Sequence, residues 1–469
     1  MLRASSTGRG PAHPGLIFLV TALGAFTATL NLSLGNVAFP DLAASFPQAS
    51  AADLSWVLTS YNIVFGALLI IGGRTADTWG RKRTFMAGLG IFLLGALLCG
   101  LAPSLPVLVA ARVVQGAGAA FLMPSSLALL IDAFPPERRT HMVALWGGVG
   151  ALAVAIGPSI GAVVVELGGW PWAFFINIPV GLVVAVLGAR VLVEAVPTEL
   201  RPRPDYLGAV LVTFAMGALV LAVAQGAEWG WDDPRVLAAF AAAVVAAYWF
   251  LRRSVRHPEP VVDLAMFKDR TFALANLATF IYGTGFFAMQ LGNILFLTGV
   301  WGWSIFAAGL AVTPGPVMVA LVSGPAGKLA ARIGFRALLI AGALVYATGM
   351  LWYYVGADLT PDYFWVWLPA SVIGGLGVGL TLPILSAAAV AGLPPARYAV
   401  GSAVNQTARQ IGGALGLAIM VVLLGDQSSL SSSLAGFDRI WLYAAATALL
   451  SGAVAVFVPR VQAPVGEVR

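Results

Sequence analysis

Charge is scarce in this chain. Asp, Glu, Lys and Arg make up 10% of its 469 residues, against about 25% in an ordinary soluble domain. A chain that is 59% hydrophobic, with a mean hydropathy of +0.90, cannot cover itself with polar surface, so lipid must be its solvent. Cysteine is scarcer still. Cys99 stands alone, which excludes an internal disulfide and a cysteine metal cluster; it lies in an apolar run and reads as a small packing residue. The histidines are His13, His141 and His257, all in or beside loops. No constellation of His, Asp, Glu, Ser or Cys has a spacing that could serve an enzyme, and nothing asks for a cofactor or a metal. The formal net charge of +6 does not mark a nucleic-acid binder, because the cations are dispersed among short loops.

Apolar runs are what the chain has in abundance. About fourteen are long enough to cross a hydrocarbon core as helices. They cover 15–39, 54–73, 84–102, 106–131, 141–165, 172–193, 206–225, 235–251, 272–297, 304–326, 336–356, 363–387, 399–424 and 438–458. The first is too long for a signal-peptide core and reads as a membrane helix. The basic residues test the count. Alternate connections carry Arg3 and Arg9; Arg74, Arg81, Lys82 and Arg83; Arg138 and Arg139; Arg190, Arg201 and Arg203; Arg252, Arg253, Arg256, Lys268 and Arg270; Lys328, Arg332 and Arg336; Arg397; and Arg460 and Arg469. The intervening connections hold only Arg235 and Arg439. The positive-inside rule then places both termini in the cytoplasm. The expected class is an all-α, multi-pass protein of the cell membrane.

One connection is distinctive. Gly73-Arg74-Thr75-Ala76-Asp77-Thr78-Trp79-Gly80-Arg81-Lys82-Arg83 reads as a short, basic, glycine-bracketed loop between the second and third runs. Its glycines permit close backbone approach, and Asp77 is placed to bond either the amides opening the next helix or a nearby arginine. The pattern resembles the cytoplasmic signature loop of the major facilitator superfamily. A weak echo recurs at Gly327 to Arg336, with glycines again seven apart, but Ala331 stands in place of Asp77 and Phe335 in place of Arg81. Duplicated six-helix halves with substrate near the midplane are a transporter architecture. The division expected is an N-terminal bundle over 1–200, an inserted helix pair over 201–256 and a C-terminal bundle over 257–469. The longest polar segment, 251–270, holds no more than a short surface helix.

The resemblance extends further. Gly150, Gly157, Pro158 and Gly161 form a small-residue face with a bend, similar to the signature that marks antiporters in this superfamily. The block Trp170 to Gly181 resembles the start of the sixth span in fourteen-helix drug:proton antiporters, with Pro171 where arginine is usual. Gly226 to Trp231, Gly401 to Ala414 and Leu30 to Pro40 are similar to the same branch. In the last of these the family usually has aspartate where this chain has Asn31.

Polar groups inside a membrane helix are costly and default to functional candidates. No carboxylate falls deep in a run. Arg112 and Arg409 do, and each either ties helices together through backbone carbonyls or faces water or an anion. Asn31 cannot titrate, yet can bond a substrate alongside Ser33, Asn36, Asn62 and Gln115; the candidate substrate and coupling set also takes in Asn405, Arg112 and Arg409. Proton coupling is then left to Asp77 or Glu166 at the rims, or to a proton carried by the substrate. The gating set is Gly73, Asp77, Gly80, Arg81, Gly157, Pro158 and Gly161. The resemblance implies export of hydrophobic drugs, antibiotics or secondary metabolites by proton antiport with alternating access. Arginines without an acid favour neutral or anionic substrates. The alternatives are export of one endogenous anionic metabolite or lipid, and a non-transporting receptor or scaffold.

Overall fold

The structure is a computed structural model that describes residues 14–194, 205–258, 260–394, 397–425 and 429–459. Arg3, Arg9, His13, Arg201, Arg203, Arg460 and Arg469 lie outside the described residues. The elements are α1 Pro14–Ser45, α2 Ala51–Trp79, α3 Arg81–Gly100, α4 Leu105–Ala133, α5 Pro136–Gly168, α6 Trp170–Phe175, α7 Asn177–Val191 and α8 Tyr206–Trp229. They continue with α9 Pro234–Arg256, α10 Arg270–Gly299, α11 Ile305–Val312, α12 Pro314–Ile333, α13 Phe335–Gly356, α14 Leu368–Ala391, α15 Tyr398–Leu424 and α16 Leu430–Ala455. Among the described residues there is no β-strand. α6 and α7 join end to end, as do α11 and α12. Thirteen rods are long and apolar enough to cross a membrane. The remaining one is α16, whose early turns carry Ser431, Ser432, Ser433, Asp438 and Arg439. The polar segment before α10 holds one turn of 3-10 helix, Leu264–Lys268, as expected.

The signature stretch is not a loop. α2 continues through Asp77 to Trp79, α3 begins at Arg81, and Gly80 alone connects them with φ 115° and ψ 140°. The apolar run ends earlier than the helix because hydropathy tracks lipid contact, whereas the hydrogen-bond ladder persists until a residue can break it. Glycine does so here without the penalty a Cβ would bring. Gly334 joins α12 to α13 in the same manner, with φ 84° and ψ 159°. The faint sequence repeat is therefore a repeat of backbone geometry.

Helix packing repeats too. In the first half α1 packs on α5 and α7, while α4 packs on α2 and α3. In the second half α10 packs on α15 and α16, while α14 packs on α12 and α13. The halves meet along two seams, α2 on α15 and α5 on α11 and α12. α8 lies against both α2 and α15, and α9 packs on α8. α9 leaves Leu237, Val244, Val245 and Tyr248 exposed, which suits lipid contact.

The aromatic residues are not confined to lipid and interface belts. Phe296 has the rings of Trp301, Trp367, Phe437 and Trp441 around it, at centroid distances of 5.3, 5.7, 5.3 and 5.0 Å. This cluster fills the second half near the end where α10 meets α11. At the same end of the inserted pair, Asp233 caps α9; its hydrogen bonds from Arg235 hold the carboxyl below the usual carboxylate range.

Candidate functional site

Arg112 lies on α4 with only 1% of its surface exposed. Its Nε donates to the Val57 carbonyl at 2.7 Å, and Nη1 donates to Gln115 Oε1 at 2.7 Å. Gln115, one turn further along α4, passes the contact on: its Nε2 donates to Asn31 Oδ1 at 3.1 Å. The guanidinium also lies 4.2 Å from the Tyr61 ring centroid and 5.5 Å from that of Phe174. No described carboxylate pairs with it. The buried cation is therefore held by a carbonyl, an amide and π faces. An aspartate at position 31 would bring a second acceptor and a negative charge. Asparagine brings a donor instead, and Asn31 Nδ2 is buried without an acceptor.

The remaining polar candidates do not join this cluster. Asn405 belongs to the second half: its Nδ2 donates to Thr279 Oγ1 at 2.8 Å and to Asn276 Oδ1 at 3.3 Å, while Ser386 Oγ donates to its Oδ1 at 3.2 Å. It thereby ties α15 to α10 and α14. Asn62 faces Gln410 across the α2–α15 seam at 3.5 Å, the long limit of a hydrogen bond. Beside it Thr407 Oγ1 donates to the Gly66 carbonyl at 2.7 Å, a shorter link. Asn36 is half-buried and forms no side-chain hydrogen bond with a described residue. Arg409 is half-buried, and its guanidinium forms neither hydrogen bond nor ion pair with a described residue. Where one constellation was expected, the fold makes separate ones: an interior hub in the first half, a polar seam, and an interior tie in the second half. Thr407, Gln410 and Tyr61 escaped sequence reasoning, because hydroxyl, amide and phenol groups in membrane helices are common and carry no spacing signal.

The small-residue face of α5 seals the end of the molecule remote from Gly80. Gly157 lies against Ser33 of α1, and Gly161 against Leu34 and Val37. Pro158 and Ala162 face α11, where a Cβ on Gly309 would sit 2.7 Å from the Pro158 carbonyl oxygen. Ser159 Oγ and Thr313 Oγ1 are hydrogen-bonded at 2.7 Å. Val37, Ala162 and Ile294 pack there with Ile305 and Val312. Toward the opposite, basic end the picture changes. A Cβ on Gly147 or Gly148 of α5, or on Gly324 or Gly327 of α12, would meet nothing within 4 Å.

At that basic end Gly80 sits in a clamp. Arg81 pairs with Asp132 at the end of α4, donates to the Ala128 carbonyl at 3.3 Å and lies 3.7 Å from Asp77. The amides opening α3 are bonded not by Asp77 but by Glu194, which accepts from Lys82 N at 3.1 Å and Arg83 N at 2.9 Å. Lys82 Nζ returns the favour at the end of α7, donating to the carbonyls of Ala189 at 3.0 Å and Leu192 at 2.6 Å. Each helix end thus receives the charge that its dipole favours. Gly73 has ordinary room, its nearest contact being Pro124 at 3.6 Å from a built Cβ; its neighbour Gly72 is the one pressed onto the Ala120 carbonyl of α4. Glu194, Asp132 and Gly72 were not singled out, since their roles come from helices distant in sequence.

The sequence profile of the Major Facilitator Superfamily matches residues 21–417. Multidrug resistance protein Stp of Mycobacterium tuberculosis is 33% identical over 409 residues, covering 86% of this chain and 75% of that protein. Methylenomycin A resistance protein of Streptomyces coelicolor is 33% identical over 423 residues, covering 90% and 88%. Tetracenomycin C resistance and export protein of Streptomyces glaucescens is 31% identical over 421 residues, covering 89% and 77%. Among solved structures, a POT family transporter in complex with 5-aminolevulinic acid superposes with a TM-score of 0.68 at 16% identity, covering 96% of each chain. A bacterial homologue of the human drug peptide transporters PepT1 and PepT2 gives 0.66 at 16% identity, covering 95% and 98%. At that identity the structures speak for the fold alone.

Proposed function

The chain belongs to the major facilitator superfamily, and from that premise we propose that it expels hydrophobic small molecules, such as drugs, antibiotics or secondary metabolites, by alternating access. The basic end faces the cytoplasm and both termini lie on that side of the cell membrane. Residues 1–200 and 257–469 are the two rocking bundles, and 201–256 is the inserted pair. The observation that carries this reading is the asymmetry of the α5 seam. It is closed by Gly309, Pro158 and the Ser159–Thr313 hydrogen bond at one end, and has open space beside Gly147, Gly148, Gly324 and Gly327 at the other. Such an arrangement suits a carrier shut to the outside.

Asn62, Gln410 and Arg409 line or adjoin the seam between bundles and are the substrate-facing set. Arg112, Gln115 and Asn31 organise the first bundle around them, and Asn405 does so in the second. A cation-bearing interior with no acid among the described residues favours neutral or anionic compounds. The family resemblance carries proton antiport as the driving reaction, which needs a group that titrates between two faces. Gly73, Gly80, Asp77 and Arg81 control rocking at the basic end, while Gly157, Pro158 and Gly161 form the packing and hinge face.

The test is accumulation of hydrophobic compounds of both charges in everted vesicles, comparing wild type with Asp77→Asn. Wild type should concentrate at least one compound several-fold over vesicles lacking the protein, and Asp77→Asn should lose most of that at equal abundance. Binding without translocation would instead mark a receptor on the same fold.

A further inference from the structure

Three features of the interior combine. First, every described carboxylate sits in a connection or within about two turns of a helix end. Asp53 and Asp77 lie at the ends of α2, Glu228 ends α8, and Asp438 lies in the early turns of α16. The titratable groups further in are of another kind. Tyr61 adjoins Arg112, Tyr282 stands on α10 and Tyr443 on α16, the helices beside α15. Phenols keep their protons at neutral pH. Second, Arg112 has its charge committed to Val57, Gln115 and Tyr61 and is sealed from solvent.

Third, Arg409 is not committed. It is half-buried about 16 Å along α15 from Tyr398, near the middle of the span. Its backbone lies beside α10, where a Cβ on Gly283 would be 3.0 Å from the Arg409 carbonyl oxygen. The next residue, Gln410, lies at the α2 seam and leaves its Oε1 without a donor. A guanidinium at this depth keeps its proton and requires an anion or water. The protein supplies no anion there among the described residues.

Resting on the efflux reading but departing from the proton antiport that the resemblance implies, we propose that Arg409 receives the negative charge of an anionic amphipathic substrate, and that the membrane potential drives export without proton exchange. An inside-negative membrane expels anions directly. A potential of about 100 mV sustains roughly a fifty-fold gradient of a monovalent anion, equivalent to about 2.3 kcal/mol. The substrate supplies the moving charge, so the interior needs no titrating carboxylate. Asn31 in place of an acid is then part of the mechanism.

The experiment uses everted vesicles carrying the full chain. The probe is 8-anilino-1-naphthalenesulfonate, whose sulfonate stays charged at every pH used, with ethidium as the cationic counterpart. A lumen-positive potassium diffusion potential set by valinomycin, with pH clamped, should drive protein-dependent uptake of the sulfonate at least fivefold above zero potential. A pH gradient at zero potential should not. Arg409→Gln should lower this uptake tenfold or more, and Arg409→Lys should keep at least a third of it, at equal membrane abundance. Uptake of the sulfonate driven only by the pH gradient would overturn the proposal, as would Arg409→Gln transporting like wild type. Ethidium exchange for protons without sulfonate uptake would overturn it while leaving the efflux reading intact. Movement of neither probe under either gradient would count against both.

Discussion

Replacing Glu194 tests whether the Gly80 connection is held by a helix cap from a distant segment. Glu194→Ala removes the acceptor for Lys82 N and Arg83 N and the negative charge at the start of α3. Its side chain is 24% exposed, so screening trims the charge contribution. A lost cap costs about 1 kcal/mol and the dipole contribution a few tenths more, for a total of about 1–2 kcal/mol. Gly80→Ala should cost more. Its φ of 115° puts a side chain in a strained region, worth about 1–3 kcal/mol. A Cβ there would also lie 2.5 Å from Glu194 Oε1 and displace that carboxylate. The total becomes about 2–5 kcal/mol. Because Gly80→Ala already breaks the cap, the double variant should be no less stable than Gly80→Ala alone. The shortfall from additivity is then the Glu194 contribution itself, about 1–2 kcal/mol. Unfolding by SDS in mixed micelles reads all of these values. Full additivity of the two substitutions would refute the reasoning, because it would mean that the alanine leaves the cap in place.

Other substitutions probe the seams and the hub. Gly309→Leu drives a side chain into Pro158 and Ala162, which should destabilise the closed outer seam by about 1–3 kcal/mol; export should fall below a tenth, and a cysteine introduced at Ser159 should label faster with an impermeant maleimide. Arg112→Lys loses the fork that reaches both Val57 and Gln115 and its stacking on Tyr61; the protein should lose about 2–4 kcal/mol in mixed-micelle unfolding, with substrate preference unchanged. Asn31→Asp installs a titratable group two hydrogen bonds from Arg112, through Gln115, and should give vesicles pH-gradient-driven ethidium uptake at least threefold above wild type.

Much of the architecture was legible because lipid imposes a simple rule: a helix crossing it must be long and apolar. The alternation of arginine-rich connections then counted the helices, and the structure puts a helix under every expected span, with α16 the least apolar. The Gly73–Arg83 stretch misled because polarity was taken for irregular backbone. Charged residues from Arg74 to Asp77 simply extend α2 beyond the apolar run. The candidate site was less legible. Rarity in a membrane span singled out Arg112, Gln115 and Asn31, and they do meet. The same criterion grouped Asn36, Asn62, Asn405 and Arg409 with them, although Asn36 lies more than a turn along α1 from Asn31, Asn62 lies at the α2–α15 seam, and Asn405 and Arg409 belong to α15 of the second half. Which polar residues share a cluster is decided by helix rotation and by packing between halves, and neither leaves a local pattern. Glu194 was hidden for a related reason. A carboxylate at a helix end looks alike whether it caps its own helix, another helix or nothing.

The clamps also indicate which helices of the first half move together. Arg81 ties the α2–α3 connection to α4 through Asp132 and Ala128, while Lys82 and Glu194 tie α3 to the end of α7. Inside the half, Arg112 binds α4 to α2 through Val57, and Gln115 extends the link to α1 through Asn31. Five rods are therefore braced as one block. α5 is absent from every one of these links. Its contacts with α1 include Gly157 and Gly161, on either side of Pro158, while a Cβ on Gly147 or Gly148, nearer the basic end, would meet nothing within 4 Å. A helix packed through glycines around a proline, with open space beside its basic-end glycines, is suited to hinge motion. The second half has the same backbone turn at Gly334 but no described ion pair at Lys328, Arg332 or Arg336 to brace it. That half carries the Arg397–Asp263 ion pair at its basic end, and at the opposite end the rings packed around Phe296 and the Asn293–Trp441 hydrogen bond. The α12–α13 turn thus lacks the described ionic brace that the α2–α3 turn has. Closing of the cytoplasmic side should then bend α5 and swing the basic end of α12, leaving the clamps around Gly80 intact.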